Sequence, residues 1–311
     1  AVRHYDCAGG IMITASHNPA NYNGYKVYNS EGCQVTEEAA AEILRCIEEV
    51  DIFAGVRTAG MEASDLLVTT FWDEKRHENI DTIPEKVIDE YIAAVKAKRV
   101  GVDCGDMEIV YTPLNGTGNK PVRRILAEIG VRRLHVVPEQ ENPDGDFPTC
   151  PYPNPEKEEA LLKGMLLCQE LKTPDLLLAT DPDCDRLGVA VRQQDPETGE
   201  ISYIKLSGNE AGILLLDFIC ACGKLPEKPI AMKTIVSAKM ADAVADAYGV
   251  EMLNLLTGFK YIGEQIGLLE EKGEEERFIF GFEESYGYLA GSYVRDKDAV
   301  NAAMLITEAA A

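Results

Sequence analysis

A serine at the end of an apolar run is the first residue in this chain that could do chemistry. Residues 11–13 are apolar and predict a buried strand, and the segment T-A-S-H-N-P that follows, at 14–19, predicts a loop. A strand would hold such a serine while the loop leaves it open to a substrate, which suits a nucleophile. The simpler alternative is that Ser16 only caps a helix or bonds to its local backbone.

A group of three carboxylates forms the second candidate for chemistry. The segment T-D-P-D-C-D-R follows an apolar run at 176–179, and its acids are Asp181, Asp183 and Asp185. Acids at alternating positions on a turn can converge on one hard cation, which would also relieve their mutual repulsion. An EF-hand loop beginning at Asp181 is excluded, because its sixth position would be Arg186 and its twelfth Arg192. Ordinary turn chemistry, which also favours Asp and Pro, remains the alternative.

Three further loops follow predicted strands. The turn T-P-L-N-G-T-G, at 112–118, resembles the opening of a phosphate-binding unit, but it fits neither G-x-G-x-x-G nor a P-loop, so an ordinary connection is the alternative. Lys260 begins a predicted helix, where a positive charge is unfavourable unless an anion binds there. The segment E-E-S-Y-G, at 283–287, offers carboxylate and hydroxyl groups, although a plain surface turn could have the same composition.

Together these motifs resemble those of the alpha-D-phosphohexomutases, the family of the phosphoglucomutases and phosphomannomutases. The matching segments are T-A-S-H-N-P, N-G-Y-K, D-P-D-C-D-R, T-G-F-K and E-E-S-Y-G. The resemblance implies catalytic roles for Ser16, His17, Lys26 and Arg186. It implies metal ligation by Ser16, Asp181, Asp183 and Asp185. It implies substrate binding by Thr257, Gly258, Lys260, Glu283, Ser285 and Lys297.

The resemblance also implies a reaction. Its phosphoglucomutase branch would interconvert glucose 1-phosphate and glucose 6-phosphate, with Ser16 carrying the phosphoryl group, Lys26 acting as general acid/base, Mg²⁺ as the metal, and glucose 1,6-bisphosphate as intermediate and activator. The alternatives are a mutase for mannose or another sugar phosphate, a serine phosphatase, and a non-catalytic sugar-phosphate binding protein. The sequence leaves sugar preference and oligomeric state open.

Strands and helices alternate through each third of the chain, which predicts three α/β units. The resemblance implies three mixed α/β/α domains of the phosphohexomutase type. We expect a partial domain I with a connector at 1–79, domain II at 80–206 and domain III at 207–311. Since the R-x-S-G-T-E-P-like segment of a fourth domain is absent from the sequence, we expect a fragment whose isolated activity is weak or lost.

Local patterns predict how these units are built. Strand 25–28 should pair with strand 11–13 around the serine loop. A helix beginning after Thr36 should bury one apolar face. Residues 138–155, rich in Pro, Asn, Asp and Gly, predict a long exposed loop, and the apolar run 176–179 is typical of a strand in a parallel sheet.

Composition limits the classes of partner. The 311 residues carry a formal charge of −23, which disfavours nucleic acid and anionic membrane and means that an anionic hexose phosphate needs a local basic or metal-bearing pocket. No apolar run reaches the length of a membrane span. Nine cysteines without a C-x-x-C pair argue against a disulfide framework or zinc site and favour a reducing, cytoplasmic location.

Overall fold

The strands of the computed structural model, which describes residues 1–55 and 82–311, fall into three separate sheets. The predicted boundary between residues 79 and 80 lies outside the described residues. The predicted boundary at 206–207 falls in the connection between the second and third sheets. Neither position is fixed by the sheets themselves, so the exact domain limits stay predictions.

The first unit is a two-stranded antiparallel hairpin followed by one helix. Its elements are β1 (Gly9–Ile13), β2 (Tyr25–Asn29) and α1 (Glu37–Glu48). The predicted strand pair is confirmed, with Ile13 opposite Tyr25. The predicted burial is wrong: Ile11 and Ile13 are 69% and 71% exposed, and α1 buries no residue. A hairpin with one helix provides too few neighbouring elements to cover these apolar faces within the described part of the chain.

The second unit has a five-stranded mixed sheet. Its helices are α2 (Glu85–Lys96), α3 (Asn119–Glu128) and α4 (Glu158–Leu171), with a 3₁₀ turn at Pro138–Gln140. Its strands are β3 (Glu108–Thr112), β4 (Arg133–Val136), β5 (Leu176–Thr180), β6 (Leu187–Gln194) and β7 (Ile201–Lys205). The order is β4-β3-β5-β6-β7, and β5 is parallel to β3. The apolar run 176–179 forms a strand, as predicted, and β5 is buried on both faces. Its other neighbour, β6, is antiparallel to it.

The third unit has a four-stranded sheet in the order β11-β10-β8-β9. Its helices are α5 (Gly208–Cys222), α6 (Met240–Tyr248), α7 (Phe259–Glu270) and α8 (Ala299–Ala310), with a 3₁₀ turn at Glu275–Arg277. Its strands are β8 (Ile230–Thr234), β9 (Glu251–Leu255), β10 (Phe278–Glu283) and β11 (Gly287–Leu289). Ser207 caps α5 in a capping box with Glu210.

One apolar core joins the second and third units. It includes buried side chains of α2, α3, α5 and α8, and α8 is buried along nearly its whole length. This shared core fixes the carboxyl ends of β5 and β10 near each other, as the bridge between Arg186 and Gly287 shows. The loops that follow these two strands are therefore held side by side.

The segment 138–155 differs from the predicted exposed loop. Several of its residues are buried, including Gln140, Cys150 and Asn154. Gln140 accepts a hydrogen bond from Thr112 Oγ1 at 2.7 Å, which satisfies a polar side chain in the interior. Polar composition misled the prediction because these side chains find partners inside the protein. Separately, none of the helices in residues 1–55 and 82–311 is both long and apolar enough to cross a bilayer.

Candidate active site

The loop 14–19, here called the serine loop, brings Ser16 against the carboxyl end of β5. Ser16 has φ 52°, a left-handed conformation that is unfavourable for a residue with a side chain. Its backbone N–H donates to Thr14 Oγ1 at 2.8 Å, which holds the turn. Its hydroxyl donates to Asp181 Oδ2 at 3.3 Å. The hairpin of the first unit thus places the predicted nucleophile beside the acids of the second unit.

The segment 181–186, here called the aspartate loop, concentrates negative charge at one point. Oxygens of Asp181, Asp183 and Asp185 lie within 4.8 Å of one another. Asp181 Oδ1 accepts the backbone N–H groups of Asp185 and Arg186 at 3.0 and 2.9 Å, which fixes the turn. Burial, together with the neighbouring Asp185 and Asp183, raises the pKa of Asp181 well above its usual range. The loop therefore holds acids that are costly to ionise together without a counter-charge.

Two carboxylate oxygens of this loop indicate where such a counter-charge fits. Oδ1 of Asp183 and Oδ1 of Asp185 are buried and have no hydrogen-bond partner in the ranges that the structure describes. Hard cations such as Mg²⁺ prefer carboxylate oxygens, and a group of three is a suitable donor set. The residues present therefore fit a divalent cation held by the three aspartates, with the Ser16 hydroxyl adjacent.

Two lysines from different units reach the same acids. Lys26 Nζ, on β2, lies 2.6 Å from Asp185 Oδ2 and 3.1 Å from Asp183 Oδ2. Burial acts to lower the pKa of Lys26, but Asp185 and Asp183 outweigh it and leave that pKa raised. Lys297 Nζ, just before α8, lies 3.4 Å from Asp185 Oδ2. All three units thus contribute charge to one cluster.

His17 and Arg186 lie at the edge of this cluster. His17 Nδ1 is 3.1 Å from Ser16 Oγ. Burial, assisted by the positive charge of Arg186, lowers the pKa of His17 to about 4, so the imidazole is neutral at neutral pH. Arg186 Nη1 donates to Glu156 Oε1 at 2.6 Å. The structure brings both residues to the predicted site, and their catalytic roles stay predictions.

The loop 283–287, here called the sugar loop, joins the cluster through Lys297. Glu283 is buried at the end of β10, with Oε1 3.6 Å from Lys297 Nζ. The side chain of Glu284 points elsewhere and accepts a hydrogen bond from Thr234 Oγ1 at 2.8 Å. Ser285 is half-buried between the two ends of the loop. Among the predicted sugar-binding residues, Lys297 therefore contacts the aspartate loop, and Glu283 is connected to that loop through Lys297.

The segment containing Thr257, Gly258 and Lys260 makes different contacts. Gly258 begins α7 with φ 117°, a conformation that glycine adopts readily. Lys260 Nζ pairs with Glu37 Oε1 of α1 at 3.1 Å. The described contacts of Lys260 thus connect the third unit to the first rather than to the aspartate loop, and substrate binding by this segment stays a prediction.

The glycine-rich turn 112–118 packs directly against the aspartate loop. The backbone N–H and hydroxyl of Thr117 donate to the Pro182 carbonyl at 2.8 and 3.0 Å. A Cβ at Gly116 would lie 2.6 Å from the same carbonyl oxygen, and one at Gly118 would lie 2.6 Å from Thr180 Oγ1. The turn therefore needs glycine because another backbone approaches it closely, and its contacts support the aspartate loop.

Several residues at the site were missed by sequence reasoning. Thr14 Oγ1 donates to Asp183 Oδ2 at 3.2 Å, and Tyr28 donates to Asp296 Oδ2 at 3.1 Å. Tyr152 lies near the end of the expected exposed loop 138–155 and contacts His17. Glu156 is the first residue after that loop and contacts Arg186. Thr14 is the first residue of the T-A-S-H-N-P motif and Asp296 directly precedes Lys297, which was a usable signal. Nothing local distinguished Tyr152 or Glu156.

Models of known domain families match most of the chain. The description "Phosphoglucomutase/phosphomannomutase, alpha/beta/alpha domain" applies to residues 1–52 as domain I, 89–194 as domain II and 207–311 as domain III. The curated phosphoglucomutase of Staphylococcus epidermidis is 36% identical over 314 residues, which covers all of this chain and 53% of that protein. The chain thus spans about half the length of the curated relatives it matches.

Solved structures share the fold. A Thermus thermophilus protein assigned as a phosphomannomutase has a TM-score of 0.74 at 22% identity, over 99% of this chain and 60% of that one. The Aspergillus fumigatus N-acetylphosphoglucosamine mutase, in complex with GlcNAc-6P and magnesium, has a TM-score of 0.55 at 16% identity, over 97% and 70%. These matches confirm the predicted fold of three α/β/α domains.

Proposed function

Because the chain belongs to the phosphoglucomutase/phosphomannomutase family, we propose that it holds the phosphoryl-transfer centre of a phosphoglucomutase that interconverts glucose 1-phosphate and glucose 6-phosphate. The observation that carries the proposal is the position of Ser16. Its hydroxyl lies 3.3 Å from Asp181 Oδ2, within a cluster of three buried or half-buried aspartates and two lysines. A serine that only capped a helix would need none of these neighbours.

In the proposed cycle Ser16 carries a phosphoryl group. The oxygen of a sugar hydroxyl forms a bond to phosphorus while the bond from phosphorus to Ser16 Oγ breaks, and the hydroxyl proton passes to Lys26. Lys26 accepts it as a neutral amine, a form that a divalent cation on Asp183 and Asp185 would favour, because the cation offsets the carboxylate charges that otherwise raise the Lys26 pKa. The product, glucose 1,6-bisphosphate, then reorients within the site so that its other phosphoryl group faces Ser16. Ser16 Oγ then forms a bond to the other phosphorus while the bond from that phosphorus to the sugar breaks, and Lys26 gives its proton to the sugar oxygen so released. Such a transfer needs in-line positioning and neutralised charge more than covalent chemistry.

The side chains divide these tasks. Asp181, Asp183 and Asp185 would hold Mg²⁺, which supplies Lewis-acid stabilisation of the phosphoryl oxygens when bound. Arg186 offers forked N–H groups to those oxygens. Because the Ser16 hydroxyl donates its one hydrogen to Asp181, a neutral His17 can donate its Nδ1–H to Ser16 Oγ and so keep that oxygen directed into the site.

The substrate is proposed to lie between the aspartate loop and the sugar loop. Glu283 and Ser285 would bind sugar hydroxyls, and Lys297, whose Nζ lies between Asp185 and Glu283, would bind a phosphate or hydroxyl. Thr257, Gly258 and Lys260 are assigned to the outer part of the same site by family resemblance. Because the rest of the chain is strongly acidic and repels anions, binding of a sugar phosphate depends on these local cations.

Phosphorus NMR tests the proposal and its alternatives in one sample. The protein is incubated with Mg²⁺, a trace of glucose 1,6-bisphosphate and glucose 1-phosphate or mannose 1-phosphate. We expect the glucose 6-phosphate signal to grow faster than the mannose 6-phosphate signal, and both to be absent with the Ser16→Ala variant. Faster turnover of mannose 1-phosphate would make the protein a phosphomannomutase. Release of inorganic phosphate alone would indicate a phosphatase, and binding without turnover and without phosphorylation of Ser16 would indicate a binding protein.

A further inference from the structure

The segment Cys150 to Lys157 contacts the edge of the site, although most of it is predicted from sequence to be an exposed loop. The Tyr152 ring meets the His17 ring edge-on, with centroids 6.4 Å apart and an interplanar angle of 81°. Four residues later, Glu156 accepts a hydrogen bond from Arg186 Nη1 at 2.6 Å. One short segment thus contacts both His17 and Arg186, the two residues at the edge of the aspartate cluster.

The guanidinium of Arg186 is engaged by a carboxylate at one of its nitrogens. Its side chain is 14% exposed, and Glu156 is its described carboxylate partner. The Nε atom is buried and makes no hydrogen bond to any residue in the described ranges. A buried N–H group without a hydrogen-bond partner costs free energy, so we expect a bound molecule to supply an acceptor for it. The phosphoryl oxygens proposed on Ser16 are such acceptors.

The Arg186–Glu156 ion pair lies beside the three aspartates, whose negative charge would attract the guanidinium. Arg186 directly follows Asp185 in the chain, so its charge lies beside the proposed metal ligands. A guanidinium left without a carboxylate partner would be drawn toward these aspartates, where it would compete with a divalent cation. The ion pair at 2.6 Å instead directs one N–H group away from them. Geometry therefore favours a carboxylate at this position.

Glu156 is itself held firmly from three sides. Its backbone N–H donates to Asn154 Oδ1 at 2.9 Å, and its carbonyl accepts from Lys205 Nζ at 2.8 Å. Pro155 packs on Gly188, where a Cβ would lie 2.8 Å from the proline ring. Gly188 lies on β6 and Lys205 on β7, so the five-stranded sheet fixes the backbone of Glu156 and thereby the position of its carboxylate. A preorganised partner of this kind orients the guanidinium at little entropic cost.

We infer that Glu156 is a positioning residue for phosphoryl transfer: it orients the Arg186 guanidinium toward the phosphoryl group on Ser16 and keeps it off the aspartates. This inference rests on the proposed function. The described side-chain contact of Glu156 is with Arg186, and Glu156 acts through that residue.

The test measures how fast glucose 1,6-bisphosphate phosphorylates Ser16 at saturating donor and Mg²⁺, by quenched-flow mass spectrometry. We expect Glu156→Gln to slow this step about 10- to 100-fold, as loss of an outer-shell partner typically does. Glu158→Gln, an exposed residue on the neighbouring first turn of α4, is the matched control and should leave the rate within about 2-fold. In the Arg186→Lys background, Glu156→Gln should have little further effect, because the two residues act as one unit.

The outcomes separate this inference from the proposed function. If wild-type Ser16 takes no phosphoryl group, the proposed function fails. If wild type is labelled and Glu156→Gln is labelled equally fast, or if the two substitutions act additively, the role of Glu156 is refuted. Should Glu156→Gln fail to fold, Glu156→Asp decides the question: it keeps the charge but shortens the reach, and an unchanged rate would overturn the inference.

Discussion

The contact between Gly116 and the aspartate loop can be tested by adding a single methyl group. In Gly116→Ala the new Cβ would lie 2.4 Å from Pro182 Cα and 2.6 Å from the Pro182 carbonyl oxygen. Two carbon atoms normally pack about 3.5 Å apart or more, so the two backbones must separate by roughly 1 Å. Neither partner is the flexible end of a side chain, and Gly116 does not have a left-handed conformation that alanine would resist. The perturbation is therefore steric and directed at the aspartate loop.

Two quantities should change together. Overpacking of this kind costs about 1–3 kcal/mol, so the melting temperature should fall by roughly 5 °C. Since Pro182 lies between Asp181 and Asp183, the shift also moves the proposed metal ligands. Loss of well-placed support around a metal site typically weakens affinity about 10- to 100-fold. Mn²⁺ titration followed by electron paramagnetic resonance measures that affinity directly, and differential scanning calorimetry measures the stability.

Gly145→Ala is the matched control for this experiment. Gly145 lies in the same unit, and a Cβ there would have nothing within 4 Å. We expect this variant to match wild type in both melting temperature and Mn²⁺ affinity. Equal behaviour of Gly116→Ala and Gly145→Ala would refute the idea that the turn 112–118 supports the aspartate loop.

Two further variants probe how the third unit is held. Asp298→Ala removes a buried carboxylate that accepts the hydroxyls of Tyr91 and Tyr293 at 2.9 and 2.6 Å, and urea unfolding should show a loss of about 3 kcal/mol because buried donors lose their acceptor; a loss below about 1 kcal/mol would contradict this. Glu210→Ala removes half of the capping box with Ser207, whose backbone and side-chain hydrogen bonds lower the pKa of Glu210. A carboxylate whose pKa is lower in the folded than in the unfolded state stabilises the fold at pH values above the unfolded pKa. That contribution disappears as the pH falls through the folded pKa. The variant should therefore cost about 1 kcal/mol at neutral pH and progressively less below about pH 4, and a cost that stays constant with pH would disprove the assignment.

Local sequence patterns predicted the elements better than their surroundings. The strand leading to Asp181 and its parallel neighbour followed from an apolar run, because a strand buried on both faces must be apolar. Ile11 and Ile13 were assigned correctly to a strand and wrongly to the interior. Periodicity shows which face of an element is apolar, but the elements that cover that face are set by the rest of the fold.

The site shows the same limit more sharply. Ser16, Lys26 and the aspartates lie far apart in sequence and were identified by motif, and the structure brings them together. Glu156 has no motif of its own, and its contact with Arg186 depends on a segment whose polar composition suggested solvent exposure. Lys260 was noted as a cation that would need an anion, and its described partner is Glu37 of another unit. Convergence of the units created the contacts of Ser16, Lys26 and Lys260, and folding within the second unit created that of Glu156 with Arg186. No local pattern encodes either.

Phosphorylation of Ser16 is the most direct test of the central claim. The folded chain, loaded with Mg²⁺, is incubated with glucose 1,6-bisphosphate and digested, and the peptides are sequenced by mass spectrometry. The account predicts one phosphoryl group on Ser16, with none on the Ser16→Ala variant and little when Mg²⁺ is chelated. An unlabelled Ser16 in the folded, Mg²⁺-loaded protein, or a label carried by a different serine, would contradict it.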